Sequence, residues 1–404
     1  MIPRTTSPIN VVDLFAGCGG FTQGFHEFTL EPDGPSPFRT VGAVELDFAA
    51  ASTYAANFAD EAGGISHIHP GDIKDWDPGT IDEPVDVILG GPPCQGFSGL
   101  GKEDPKDPRN RLWREYVRVV KALRPKIFVI ENVDRFVRSV EFTLLKEATE
   151  PGGDLDDYVL EYKILNAADY GVPQARRRAI ALVTRRDLIE RHPKREPLQH
   201  PAATHQKPGK GKGADDLPLF DERPALPGWM PARTVFDLTP HETKTTHLPD
   251  KPGFDRLGRW VPGPFRTSEL HIGRIPTEHS LLRYAAIPAG GNRHDLPPHL
   301  STKNWINHRT GSGDVMGRMY KDRPSVTIRT EFYKPEKGRY LHPTAHRPIT
   351  HLEAALLQGF PMDFLWCGSK VEIARQIGNA VPVGLSKAIA GAVYEYLRDA
   401  DQIQ

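Results

Sequence analysis

Residues 90–98 read Gly-Gly-Pro-Pro-Cys-Gln-Gly-Phe-Ser and directly follow the apolar run Val85–Leu89. A run of that kind is a buried strand, and ligands of α/β proteins sit at strand C-terminal ends. Pro92 and Pro93 fix φ and restrict the backbone ahead of Cys94, so its thiol stands on a stiff shelf, as a nucleophile requires. A lone cysteine is more often a small buried hydrophobe. Cys18 and Cys367 read that way, Cys18 with the option of lining a pocket. Two polar groups stand at other strand ends. Glu131, in Glu131-Asn132-Val133, ends the run Ile127–Ile130. A carboxyl at the mouth of a buried site can hold and donate a proton, whereas an isolated acid after a strand is usually a helix cap. Arg176 and Arg178, in Gln174-Ala-Arg-Arg-Arg178, precede the run Ala179–Val183 and share one face of an extended segment. Taken alone, a basic triplet is a solvated surface.

A second kind of chemistry lies near the N-terminus. Asp13-Leu-Phe-Ala-Gly-Cys-Gly-Gly20 follows an apolar strand and precedes a helical pattern. Glycines there let a backbone approach a ligand at a helix N-terminus. The dinucleotide fingerprint fails, because Thr22 stands where its third glycine belongs. Glu45 ends the next strand, where an acid can hold a ribose. Asp72, in Gly71-Asp72-Ile73, could accept from an adenine amino group. Two carboxylates without a phosphate cradle suit an adenosine that carries no phosphates, the form presented by S-adenosylmethionine. The plain alternative is a tight βα turn that only packs.

These residues need a scaffold, and the flanks of the chain supply one. Short β-rich runs at Val11–Phe15, Val41–Glu45, Val85–Leu89, Ile127–Ile130, Val159–Leu165 and Ala179–Val183 alternate with helical patterns that include Phe48–Phe58 and Leu112–Leu123. That alternation predicts an α/β fold with a mostly parallel sheet. Helical patterning returns at Leu352–Gln358 and Val383–Arg398. Length and composition allow about two domains, exclude disorder, and leave no apolar run long enough for a transmembrane helix. The N-terminus has no signal-peptide core, and three cysteines make no disulfide framework, so a reducing cytosol is expected. The formal charge of the 404-residue chain is −1, which by itself argues against a nucleic-acid binder. That total conceals a segregation. Residues 185–345 carry +9 with 20 of the 38 prolines, and the remainder carries −10.

Together the motifs resemble the cytosine-C5 DNA methyltransferase family of the bacterial restriction-modification type. The blocks come in the family's order: DLFAGCGG, VELD, GDI, GPPCQGFS, ENV, QARRR, the segment Arg347–Pro361, and Gln376-Ile-Gly-Asn-Ala-Val-Pro382. The resemblance covers roughly positions 10–185 and 318–395. It implies a Rossmann-like S-adenosylmethionine-dependent methyltransferase domain over 1–185, a smaller irregular target recognition domain over 186–345, and a C-terminal segment, 346–404, returning to the first. Phe15, Gly17, Gly19, Gly20, Glu45, Asp72, Ile73, Pro93 and Asn379 match the cofactor-binding set. Cys94 matches the nucleophile that adds to cytosine C6, and Glu131 the residue that binds N3 and the exocyclic amine. Arg176 and Arg178 match the paired arginines of the site, with Arg178 at the cytosine O2.

The resemblance implies methyl transfer to C5 of cytosine in a specific duplex DNA sequence, with the base flipped out of the helix. Gly96–Arg111 then reads as a polar loop closing over DNA, with Lys102, Arg109 and Arg111 near phosphates. Arg256, Arg259, Arg293 and Arg309 are candidate base readers, and the insertion's histidines are taken as surface residues. No metal is expected, since the insertion has no cysteine and irregular histidine spacing. The expected partners are double-stranded DNA and, acting separately, a cognate restriction endonuclease. The protein is expected to be a bacterial cytoplasmic, nucleoid-associated monomer with no membrane contact. Three departures stand out: Ala355 or Leu356 where the family's helix carries Arg, the proline-rich excursion Glu31–Thr40, and Ala380 in place of Ser. A tRNA methyltransferase with the same core, a silent DNA-binding relative and an amino-directed methyltransferase are the rivals. The long insertion, Cys94 with Glu131, and the GGPPCQ sequence argue against each in turn.

Overall fold

A computed structural model describes residues 7–60, 64–92, 108–191, 195–208, 225–307 and 313–401. Pro93, Cys94, Lys102 and Arg309 lie outside the described residues, as do the side chains of Arg109 and Arg111. Seven strands form one sheet: β1 (Ile9–Leu14), β2 (Phe38–Val44), β3 (Ile68–His69), β4 (Val87–Gly90), β5 (Ile127–Val133), β6 (Tyr158–Asn166) and β7 (Arg177–Arg185). Their order is β3-β2-β1-β4-β5-β7-β6. All pairings are parallel except those of β7, which runs antiparallel to β5 and β6. The chain winds outward from β1 in one direction and from β4 in the other, so the C-terminal ends of β1 and β4 open a crevice at the switch point. The six apolar runs each become a strand within a few residues of the expected bounds. β3 was missed because two residues leave no periodicity to read.

Helices cover the sheet: α1 (Gly20–His26), α2 (Phe48–Phe58), α3 (Pro108–Leu123), α4 (Val140–Thr149) and α5 (Arg186–Glu190). α3 starts at Pro108, so the last four residues of the expected loop Gly96–Arg111 are helical. Proline at a first helical position costs nothing, because its missing N–H would have been unpaired there. The described part of the insertion holds short elements only: α6 (Arg233–Phe236), β8 (Phe265–Arg266), α7 (Glu278–Ala286) and α8 (Lys303–Asn307). The chain then returns through α9 (His351–Leu357), β9 (Leu365–Trp366), α10 (Lys370–Asn379) and α11 (Val383–Asp401).

Two contacts show how the return is fixed. α11 lies against α1, where a Cβ on Gly24 would stand 2.3 Å from the Ser386 Cβ, and Ser386 Oγ donates to Phe21 O at 2.6 Å. Glycine is required there for close approach of the two helices. The insertion shares one apolar cluster with the flanks, joining Phe236, Phe254 and Phe265 to Tyr54 and Phe58 of α2, Leu352 of α9 and Ile377 of α10. The strand pair β8–β9 reinforces this contact.

A buried ion pair locks α9. Arg347 reaches Glu353 through Nη1–Oε2 at 2.9 Å and Nη2–Oε1 at 2.7 Å, and Glu353 also accepts from the Thr350 N–H. Burial pushes the Glu353 carboxyl up, but the Arg347 guanidinium and its hydrogen bonds outweigh it and hold the group below its ordinary value. Ala355, one of the two positions where the resemblance places an Arg, is fully buried in the shared cluster, and the other, Leu356, packs against it partly buried. His342 departs from expectation. It is buried beside Glu353, with burial lowering its pKa to about 3.

Candidate active site

A cleft of about 1200 Å³ opens at the C-terminal ends of β1, β2, β4 and β5. At one end lies the glycine turn. Phe15 and Gly17 both have φ +57°, and Gly19 has φ +88°, so the chain reverses through left-handed conformations between β1 and α1. The three glycines serve different needs. A Cβ on Gly17 would meet nothing within 4 Å, and only φ and the open face of the cleft require glycine there. A Cβ on Gly19 would lie 2.3 Å from the Phe58 ring, away from the cleft wall, and one on Gly20 would lie 2.7 Å from Val381 O. At Gly19 packing therefore adds to the demand that its φ already makes, and at Gly20, which also lines the cleft, packing explains the glycine.

Glu45 closes this end. Its Oε2 accepts the Gly17 N–H at 2.8 Å and its Oε1 the Asp47 N–H at 2.7 Å. Burial pushes its pKa up against those hydrogen bonds. Asp13, at the end of β1, is almost wholly buried and accepts from Thr22 Oγ1 at 2.6 Å; burial pushes its pKa up to about 7 despite that bond. Asp72 and Ile73 line the cleft. Asp72 caps the following turn through the Lys74 N–H at 3.1 Å and pairs with the Lys74 ammonium at 2.9 Å, whose hydrogen bond holds its pKa down. Each carboxylate oxygen retains a further lone pair for an amino donor. Leu46 presents an apolar side chain, 70% exposed, beside Glu45 on the cleft wall. Asn379 ends α10 on the same wall. An acidic, partly apolar pocket with an open glycine face fits a cationic adenosine-type cofactor better than a phosphorylated one.

At the other end stand Glu131 and Arg178. β5 carries Glu131 one residue beyond the end of its pairing with β4, opposite Ile180 of β7, and Arg178 Nε lies 2.8 Å from Glu131 Oε1, with both side chains nearly buried. Glu131 Oε2 points toward Gly91, where a Cβ would lie 3.8 Å away. Asn132 Nδ2 donates to Pro92 O at 3.0 Å, so the C-terminal end of β5 grips the residue that leads to Pro93 and Cys94. Alternation along β7 holds as expected: Arg176 and Arg178 turn inward, while the Arg177 side chain is 63% exposed. Arg176 nonetheless differs from Arg178. It is 2% exposed, and its guanidinium is spent on the carbonyls of Ile328 and Gly378.

Sequence reasoning missed Leu46, Asp13, and Thr327–Thr330, which line the cleft from the end of the insertion. Gln174 in QARRR was a visible signal for the last group. Its Oε1 accepts the Ile328 N–H at 2.8 Å. Among the candidate readers, Arg256 pairs with Asp60 at 3.2 Å, Arg259 lies 5.1 Å over the Phe48 ring, and Arg293 is buried. The first two therefore dock the insertion onto the region of α2. Cys18 and Cys367 are buried, with burial raising both thiols to about 12. No helix among the described residues is long and apolar enough to cross a membrane.

Comparison with known proteins agrees with this geometry. The chain is 32% identical over 403 residues to the Type II methyltransferase M1.HphI of Haemophilus parahaemolyticus, covering 95% of this chain and 86% of that protein. It is 32% identical to the Type II methyltransferase M.XorII of Xanthomonas oryzae pv. oryzae, covering 97% and 86%. The crystal structure of a putative DNA modification methyltransferase encoded within an E. coli prophage superposes with a TM-score of 0.64 over 96% of this chain and 99% of that one, at 23% identity, and shows the same fold. A model of the C-5 cytosine-specific DNA methylase matches residues 9–395, and the chain belongs to that family.

Proposed function

We propose that the protein transfers a methyl group from S-adenosylmethionine to C5 of cytosine within a specific sequence of duplex DNA, in the bacterial cytoplasm, as the modification half of a restriction-modification system. The reading is supported by the Glu131–Arg178 pair, which lies beside Gly91 and Pro92 in a cleft that the Glu45–Gly17 cradle closes at its far end. The bacterial relatives named Type II methyltransferases support the biological setting. In this reading residues 1–185 and 346–404 form the catalytic unit, 186–345 reads the DNA, and the working form is a monomer.

C5 of cytosine is a weak nucleophile. The Cys94 thiolate adds to C6, and the electron pair of the C5–C6 double bond becomes available at C5. Glu131 hydrogen-bonds N3 and the exocyclic amine, stabilising the charge that develops on the ring. Arg178 holds the Glu131 carboxylate in place and donates to O2. When bound, S-adenosylmethionine supplies the electrophilic methyl group that C5 takes up, with Glu45, Asp72 and Asn379 holding its adenosine and amino-acid portions. Loss of the C5 proton to solvent then restores the double bond and expels the Cys94 thiolate. A stacked base is out of reach of these groups, so the target nucleotide is flipped into the cleft.

Bisulfite sequencing of DNA from cells expressing the gene tests the reading and reports the target sequence. Wild-type protein is expected to protect cytosines in one motif and Cys94→Ser to protect none. Protection by Cys94→Ser would sink the mechanism, and methyl transfer to tRNA without duplex DNA would sink the substrate.

A further inference from the structure

Arg176 is a peculiar arginine for a substrate-binding site. Its Nη1 donates to Ile328 O at 2.8 Å and Gly378 O at 3.1 Å, and its Nη2 to Gly378 O at 3.0 Å. Its Nε is shut off from solvent and has no hydrogen-bond partner among the described residues. Burial, with Arg178 adding repulsion, lowers the guanidinium to about 9. The carboxylate of the site, Glu131, pairs with Arg178 instead. Both Nη1 hydrogens are so committed that a base could take them only by releasing two backbone segments.

Those segments belong to different parts of the protein. Gly378 is in the last turn of α10, whose terminal carbonyls have no partner within the helix. Side chains from elsewhere satisfy them. Gln358, at the end of α9, donates to Ile377 O at 2.5 Å and Ala380 O at 3.4 Å, and Arg176 covers Gly378 O. This capping fixes the helix end that carries Asn379. Ile328 lies in the last stretch of the insertion and is bracketed, with its N–H on Gln174 Oε1 at 2.8 Å and its carbonyl on Arg176. Gln174 Nε2 also meets Gln358 Oε1 at 2.7 Å, which closes the network. The two segments touch directly, since a Cβ on Gly378 would lie 2.4 Å from both the Arg329 carbonyl carbon and the Thr330 nitrogen.

We propose that Arg176 is a positioning residue that ties the insertion's return segment, Ile328–Thr330, to the Asn379 end of the cofactor pocket. Seating of DNA against the return segment and seating of cofactor against Asn379 then order the same knot, and each ligand binds more tightly in the presence of the other. Such coupling is reciprocal by thermodynamic necessity. The inference rests on reading the Glu45 end of the cleft as cofactor-binding and residues 327–330 as DNA-facing. It assigns Arg176 a role distinct from that of Arg178, although the two stand two residues apart in one motif.

The test is a linkage measurement on the full chain. S-adenosylhomocysteine is titrated by calorimetry with and without saturating sheared, unmethylated duplex DNA. For the wild type the dissociation constant is expected to fall at least about fivefold with DNA, and in Arg176→Lys, which cannot span both carbonyls, by less than about twofold. Hydrogen exchange on the wild type is the second measurement and needs no variant to fold. S-adenosylhomocysteine alone should slow the amides of 326–330, and DNA alone those of 377–381. Absence of coupling in the wild type, full coupling in folded Arg176→Lys, or exchange that stays confined to each ligand's own segment would each overturn the proposal. Neither readout requires methyl transfer, so a failure of the proposed reaction and a failure of the tie are separable.

Discussion

Replacing Asp13 by Asn should reverse part of the protein's pH dependence of stability. Asp13 is almost completely buried at the end of β1, and burial raises its carboxyl from 3.8 to about 7, with Glu45 adding to the shift and the Thr22 hydroxyl opposing it. A carboxyl with a raised folded-state pKa is protonated in the native chain where the unfolded chain has already lost its proton. Unfolding then releases a proton, and stability falls as pH rises from about 4 to about 7. Above that window the native state carries a buried negative charge. From about pH 5 to beyond pH 7 the change spans roughly two pKa units, or about 3 kcal/mol. Asn keeps an acceptor for Thr22 Oγ1, and its new N–H groups impose a cost that does not vary with pH. The measurement is therefore the difference in unfolding free energy between wild type and Asp13→Asn, from urea titrations at several pH values between about 5 and 8.5. The variant should gain about 3 kcal/mol relative to wild type across that range. Glu45 titrates in both proteins and largely cancels. A pH-independent difference would refute the claim that Asp13 holds its proton near neutrality.

Other outcomes rest on the same contacts. Glu45→Gln, which keeps size but loses one acceptor and the charge facing the cleft, should weaken S-adenosylhomocysteine binding by about tenfold or more, the equivalent of a charged hydrogen bond; unchanged binding by calorimetry would move the cofactor elsewhere. Arg347→Met should cost about 3–5 kcal/mol, because Glu353 would be left charged and unpaired in the interior, and the loss should appear as a lower urea midpoint. Native protein should expose one reactive thiol to a disulfide reagent at mild alkaline pH, with none in Cys94→Ser, since burial raises Cys18 and Cys367 to about 12. Reaction of two or three thiols in folded protein would contradict that burial.

Much of this was legible in the sequence, for identifiable reasons. Strand ends in an α/β protein are marked by apolar runs followed by glycines, acids and prolines, and the site residues sit at those ends. That alone singled out Gly17, Glu45, Asp72 and Glu131, all of which line the cleft. Alternation along an extended segment put Arg176 and Arg178 on one face. The segregation of charge, hidden in a total of −1, marked the insertion. What periodicity and spacing could not supply was the meeting of distant segments. Phe58 closes on Gly19, which its φ of +88° already requires, and Val381 closes on Gly20. Arg256 and Arg259 turn toward Asp60 and Phe48, and His342 is buried beside Glu353. The division of labour between Arg176 and Arg178 is of the same kind. Both residues present the same side chain two positions apart, and only the folded chain brings the Gly378 and Ile328 carbonyls to one and the Glu131 carboxylate to the other. A hydrogen bond between segments about 200 residues apart leaves no trace in local propensity, because its energy depends on a tertiary approach that only packing creates.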